Sequence, residues 1–206
     1  MLQASNVACV RGDRLLFKDV NFALDSGTLL RIAGANGSGK TSLLRILCGL
    51  ALPVTGEVRW RGEPIRRARE DYHRELVYVG HAPAVKDDLT ARENVTVSCA
   101  LGGARVDETS ADVALERAGL LRYAGLPARH LSQGQRRRVA IARLAAGTAA
   151  KLWVLDEPFT ALDTVAVALV IEMIAGHLAN GGIAVVTSHQ EAVLANVTTF
   201  TLHLGG

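Results

Sequence analysis

The chain has 206 residues, 49% of them hydrophobic, and a formal net charge of +3. That length holds one sizeable core, or one core with a subdomain, and a mildly positive balance with both signs interspersed does not by itself point to a nucleic-acid partner. Cys9, Cys48 and Cys99 are scattered, with no CxxC spacing, which argues against a zinc site or covalent haem attachment and for a reducing compartment.

Met1-Leu2-Gln3-Ala4-Ser5 lacks a basic segment followed by a long apolar core, so no signal peptide is expected. Apolar runs predict strands over 4–10, 15–24 and 28–33, with turns at Arg11-Gly12-Asp13 and Asp25-Ser26-Gly27. The third run enters Gly34-Ala35-Asn36-Gly37-Ser38-Gly39-Lys40-Thr41, which fits GxxxxGK[ST], and a helix is predicted after it over 42–47. Glycines let the backbone fold tightly with its N–H groups pointing inward, and the helix N-terminus adds partial positive charge. Such a loop cradles nucleotide phosphates, with Lys40 reaching the β- and γ-phosphates of ATP and Thr41 holding Mg²⁺. A plain glycine turn leaves the Lys-Thr pair at that offset unexplained.

Further strands are predicted at 57–61 and 76–79. The basic clusters Arg66-Arg67-Ala68-Arg69 and Arg136-Arg137-Arg138 are each read as solvated faces. From 82 to 147 β-branched runs are scarce, and segments 90–101, 111–118 and 132–146 look helical. This stretch reads as a helical subdomain inserted into a single nucleotide-binding domain spanning 1–206. Within it, Leu131-Ser132-Gln133-Gly134-Gln135 opens a helix with Ser132 as N-cap. Taken alone this reads as a plain capped helix; beside the other motifs, the Ser132 hydroxyl and the Gly134 N–H could contact a terminal phosphate.

The apolar run at 151–155 ends in Asp156-Glu157-Pro158. A buried strand delivers such carboxylates to the sheet edge where ligands of parallel sheets bind. Asp156 suits the Mg²⁺ shell, and Glu157 suits polarising an attacking water. A helix over 162–179, a turn at Asn180-Gly181-Gly182 and strands over 183–187 and 199–204 complete the pattern. Buried runs alternating with helices imply an α/β fold with a mostly parallel sheet covered on both sides. The most apolar stretch, 165–171, is too short for the roughly 20-residue run of a membrane helix. The chain is expected to be soluble and cytoplasmic, with any membrane role coming through a partner.

Phosphate loop, Leu-Ser-x-Gly-Gln, Asp-Glu-Pro, Ala161-Leu162-Asp163 and His189 follow one another in this order, and with them the whole chain resembles the ATPase subunit of ABC transporters. The resemblance implies the P-loop ABC ATPase fold, with an N-terminal antiparallel β subdomain. It implies ATP and Mg²⁺ as cofactors, and two copies facing head to tail so that Ser132, Gly134 and Gln135 of one close on the ATP of the other. It also implies that His189 contacts the γ-phosphate and that Asp163 links the two sites.

A narrower resemblance rests on Asp71-Tyr72-His73, on Gly80-His81-Ala82-Pro83-Ala84-Val85-Lys86, on Gln135-Arg136-Arg137-Arg138-Val139-Ala140, on Asp156-Glu157-Pro158-Phe159-Thr160-Ala161 and on His189-Gln190. These are similar to the ATPase subunit of the haem exporter of cytochrome c maturation. Integral membrane subunits at the cytoplasmic face of a bacterial inner membrane are then the implied partners, moving haem or releasing a haem-loaded chaperone. His81 stands where most of the larger family carries Gln, within reach of a Mg²⁺-bound or attacking water and with a charge that depends on pH. Arg11 stands where most carry an aromatic residue; it either lies over the adenine ring through its planar guanidinium or is a solvated turn residue. Gln133 replaces a family glycine, and a backbone with φ > 0 there would cost roughly 1–2 kcal/mol.

Two rival readings remain at this level: the ATPase of another small-molecule transporter, and a soluble nucleic-acid-associated relative. The latter class usually has paired cassettes or long coiled coils, whereas this chain has one cassette and no sustained heptads. No nucleic acid and no direct insertion into a membrane are expected.

Overall fold

The computed structural model describes residues 1–146, 150–188 and 198–205. The chain opens with β1 (Leu2–Arg11), β2 (Arg14–Leu24) and β3 (Thr28–Gly34), followed by α1 (Lys40–Leu47), β4 (Thr55–Trp60), β5 (Glu63–Pro64), α2 (Arg69–Arg74) and β6 (Leu76–Val79). Three helices come next, α3 (Ala91–Leu101), α4 (Glu108–Arg117) and α5 (Gln133–Ala142), and then β7 (Leu152–Asp156), α6 (Thr164–Ala179), β8 (Ile183–Thr187) and β9 (Thr198–Leu204). Among the described residues the strands form an antiparallel sheet ordered β2-β1-β4-β5 and a parallel sheet ordered β6-β7-β8-β3-β9.

The central strands β7 and β8 are buried throughout and β3 nearly so, which is why their sequences read as near-continuous apolar runs, while the edge strands β6 and β9 are partly exposed. Alternate residues serve different layers. Leu30, Ile32, Leu152, Val154, Ile183 and Val185 point into a core shared with α1 and the antiparallel sheet. Their neighbours Leu29, Trp153, Leu155, Ala184 and Val186 point the other way, onto Val170 and Ile174 of α6. α3, α4 and α5 build a separate core around Val95, Leu115, Leu120 and Val139. The α/β architecture with an N-terminal antiparallel sheet and a mostly parallel core is thus as expected. No helix among the described residues is long and apolar enough to cross a membrane.

Local chemistry sets the helix ends. Thr90 and Glu93 form a reciprocal capping box before α3, and Ser132 and Gln135 do the same before α5. α4 begins at Glu108 rather than 111, because Asp107 accepts the Ser110 N–H at 2.8 Å and caps it. The helix expected over 132–146 ends as α5 at Ala142 and tightens into a 3₁₀ turn over Arg143–Ala145. Gln133 is the first residue of α5 and lies outside the left-handed region, so the backbone cost considered for it does not arise.

α2 has no counterpart in the sequence reading, since Arg-Glu-Asp-Tyr-His-Arg carries no apolar period. Its role is tertiary. The Tyr72 hydroxyl, fully buried, donates to the Leu47 carbonyl, and His73 Nε2 lies 3.0 Å from the Cys48 carbonyl. Together they hold the C-terminal end of α1, whose other end follows the glycine loop 34–39. Tyr72→Phe is therefore expected to lower stability by about 1–2 kcal/mol in urea unfolding; an unchanged unfolding midpoint would count against the anchor.

Candidate nucleotide site

The parallel sheet brings the ends of β3, β6, β7 and β8 to one edge. β3 ends in Gly34, β7 in Asp156 and β8 in Thr187, with Asp156 paired to Thr187 and Ile32 to Thr187 in register. Ligands of such sheets bind beyond this carboxyl edge. The loop after β3 then folds back over the start of α1. Gly34 sits at φ 151°, where a Cβ would lie 2.5 Å from the Leu204 carbonyl oxygen, so only glycine fits. Gly39 sits at φ 99°, and a Cβ there would meet the Phe17 ring at 2.9 Å.

Lys40 is the first residue of α1 and only 9% exposed. Its Nζ donates to the Gly34 carbonyl at 2.8 Å and the Ala35 carbonyl at 3.2 Å, drawing the loop around the ammonium. Next to it, Thr41 Oγ1 donates to Asp156 Oδ2 at 2.9 Å. Asp156 is 2% exposed, and its other oxygen accepts from Thr187 Oγ1 at 2.7 Å. Thr187 Oγ1 in turn accepts the Glu157 N–H at 2.9 Å. Glu157 holds a left-handed backbone, φ 50°, as does Ala161 at φ 63°. For a side chain with a Cβ this costs roughly 1–2 kcal/mol, a strain that surrounding bonds must hold.

The solvated-face reading of Arg136-Arg137-Arg138 fails at its middle residue. Arg137 is 3% exposed. Its Nη1 donates to the carbonyls of Gly80 and His81 at 2.7 and 3.0 Å, and its Nη2 to those of Asp156 and Glu157 at 2.5 and 2.8 Å. Burial pulls the guanidinium below its ordinary pKa, while the Asp156 and Glu157 carboxylates and Tyr78 push it back; an arginine stays charged under such shifts. The signal that finds it is helical spacing. Counted from the Ser132 cap, Arg137 shares a face with buried Ile141. Arg66, Arg67 and Arg69 are exposed, as expected.

One open cleft of about 580 Å³ gathers Arg11, Asn36, Gly37, Gly39, Lys40, Thr41, His81, Asp156 and Glu157. Gly34, Ala35 and Ser38 do not line it; the Gly34 and Ala35 carbonyls accept from Lys40, and the Ser38 N–H closes the turn onto the Ala35 carbonyl. Arg14 and Leu16 line the same cleft beside Arg11; sequence reasoning did not select them. Ser132, Gly134 and Gln135 are not part of that lining, and neither is Asp163, which accepts the Ala166 N–H at 2.7 Å and caps α6. His189 lies outside the described residues.

A strand, a glycine loop drawn onto a buried lysine and a carboxylate pair at the end of β7, one strand removed in the same sheet, are one unit, and a family model described as ABC transporter matches residues 17–160, which contain all of it. The chain belongs to the ABC transporter ATPases. An ABC relative from Aromatoleum aromaticum, the cytochrome c biogenesis ATP-binding export protein CcmA, is 55% identical, covering 95% of this chain and 91% of that one. The corresponding Salmonella typhimurium protein is 47% identical, covering 100% and 98%. Among solved structures, the dimeric post-hydrolysis state of the ATP-binding cassette MJ0796, bound to ADP and Pi, superposes with a TM-score of 0.84 at 26% identity, covering 100% of this chain and 97% of that one. The resemblance read from the motifs is borne out at both levels, and as an ABC ATPase the chain is an ATP hydrolase.

Proposed function

We propose that the chain is the ATP-hydrolysing subunit of a membrane export complex of cytochrome c biogenesis, moving haem or releasing a haem-loaded chaperone. It would sit peripherally at the cytoplasmic face of a bacterial inner membrane, held by integral membrane subunits. The observation that carries the catalytic part is the bonded series Thr41, Asp156, Thr187, Glu157, in which buried Thr187 joins the cleft-lining Asp156 and Glu157 beneath the phosphate loop. Loop amides and Lys40 grip the ATP phosphates. Glu157 polarises the attacking water, and His81 stands beside it in the cleft. Thr41 and Asp156 are the residues that would hold Mg²⁺: both offer hard oxygens, already within 2.9 Å of each other, which is the donor chemistry this cation takes. When bound, Mg²⁺ neutralises phosphate charge. Arg11 lines the far side of the cleft with Arg14 and is the candidate neighbour of the base.

Residues 82–147 form the inserted helical part of one nucleotide-binding domain. The N-terminal end of α5 presents Ser132, Gly134 and Gln135 to a second copy bound head to tail, His189 adds a γ-phosphate contact, and Asp163 links the two sites. The dimeric cassette structures among the relatives support this pairing. Closure follows because nucleotide binds the paired state with extra contacts, and it shifts the equilibrium only by that difference.

Two tests address this reading. In the head-to-tail arrangement each site takes its loop from one copy and Ser132 from the other. Mixing Lys40→Ala chains with Ser132→Ala chains should then restore turnover above that of either variant alone, since half of the sites in a mixed pair are intact. Absence of any restoration contradicts the arrangement. The second is a pull-down from detergent-solubilised membranes with the captured subunits identified and haem assayed. Capture of a transporter subunit unrelated to haem favours the rival transporter reading.

A further inference from the structure

We infer that Arg137 is a positioning residue that fixes the Glu157 carboxylate and His81 at the cleft and links both to the end of α5 that carries Ser132, Gly134 and Gln135. The inference rests on the proposed roles of Glu157 and of that helix end. Three observations carry it. First, one buried guanidinium spans two separate strand ends: Nη1 serves the turn after β6 that carries His81, and Nη2 serves the turn after β7 that carries Glu157. Second, the Glu157 peptide unit sits in the left-handed region and is gripped on both sides, its N–H by Thr187 Oγ1 and its carbonyl by Arg137. Third, Gly134, one helical turn before Arg137, packs so tightly on the Ala161 backbone that a Cβ would lie 2.5 Å from its carbonyl oxygen. The helix end that meets the partner's nucleotide is therefore coupled at two points to the turn that holds its own chain's hydrolytic carboxylate. A small shift of α5 moves Glu157 and His81 together, because packed elements of this kind move as units.

A lysine keeps the buried charge but has one nitrogen, so it reaches one carbonyl pair and not both. Arg137→Lys is expected to lower kcat about 100-fold, the scale of a misplaced reacting group, while KM and nucleotide Kd stay within about threefold of the parent. Thermal unfolding of the variant and ATP-driven pairing of Glu157→Gln chains with and without Arg137→Lys are measured alongside. Unchanged pairing with collapsed kcat supports the positioning role. Unchanged kcat overturns it, and so does a parallel fall of kcat, nucleotide affinity and melting temperature, which marks a purely structural residue. Should the lysine variant not fold, Arg137→Gln, which keeps one donor end and no buried charge, takes its place; failure of both to fold also assigns a structural role. If Glu157→Gln chains without any change at Arg137 neither bind ATP nor pair, the functional reading itself falls, a result separable from normal turnover by Arg137→Lys.

Discussion

Glu157→Gln is expected to bind ATP and pair in its presence while losing turnover by more than about 100-fold. The substitution is close to isosteric, and two of the bonds that hold this residue are made by its backbone. Its N–H donates to Thr187 Oγ1 and its carbonyl accepts from Arg137, and a glutamine keeps both. The left-handed turn at φ 50° is likewise a property of the main chain and its clamps. What changes is the loss of one negative charge and of the proton acceptor in the cleft. Glu157→Asp keeps the charge but withdraws the carboxylate by one methylene, and it too should lose most turnover if placement matters as much as basicity. Phosphate release under single-turnover conditions, with size-exclusion chromatography in the presence of ATP, reads the two halves of this expectation. Turnover within about tenfold of the parent would remove Glu157 from the water-activating role.

The strand-loop-helix around Gly34 to Thr41 and the Asp156-Glu157 strand end were legible in the sequence because each is a local object. Strand, glycines, Lys40 and Thr41 lie within one short segment, and an apolar run ending in two carboxylates announces a strand end without reference to the rest of the fold. Legibility stopped where burial depends on a distant segment. Thr187 reads as the last residue of an ordinary strand, yet its hydroxyl joins Asp156 and Glu157 only because β8 lies beside β7. Arg137 reads as the centre of a basic run, and its burial follows from α5 crossing the ends of β6 and β7. α2 has neither period nor length, and forms because Tyr72 finds the end of α1. Gln133 shows the converse: the motif position raised the question of a left-handed backbone, and a helix start answers it without strain.

These residues together explain why the site's floor is rigid while its rim is open. Asp156 accepts from two threonine hydroxyls and Arg137 fastens two turns, one of them through the His81 carbonyl, whereas the Arg11 and His81 side chains at the cleft mouth are exposed. A preorganised floor places reacting groups without reorganisation at the moment of chemistry. In the proposed head-to-tail pairing, an open rim leaves the remaining contacts to be supplied by the second copy.

Lys40→Ala is expected to weaken ATP binding by about 10- to 100-fold, the worth of one or two charge-assisted hydrogen bonds, and to lower turnover at least as far. The ammonium is almost wholly buried and already bonded to the Gly34 and Ala35 carbonyls, so its net contribution is the phosphate bonds gained minus the carbonyl bonds given up. That exchange favours the phosphate, because two anionic oxygens are better partners for a buried cation than two neutral carbonyls. Alanine also deprives those carbonyls of their donor, loosening the loop whose amides must converge, so affinity should fall further than the lost charge alone predicts. Lys40→Arg restores the charge but not the fit, since a planar guanidinium needs more room than the loop leaves around a single nitrogen, and it should recover little. Isothermal titration with ATP and with ADP separates the contributions: a lysine that reaches the terminal phosphate makes the loss larger for ATP than for ADP. Equal affinity of the alanine variant and the parent for ATP would end the phosphate-loop reading, and with it the assignment of every other residue in the cleft.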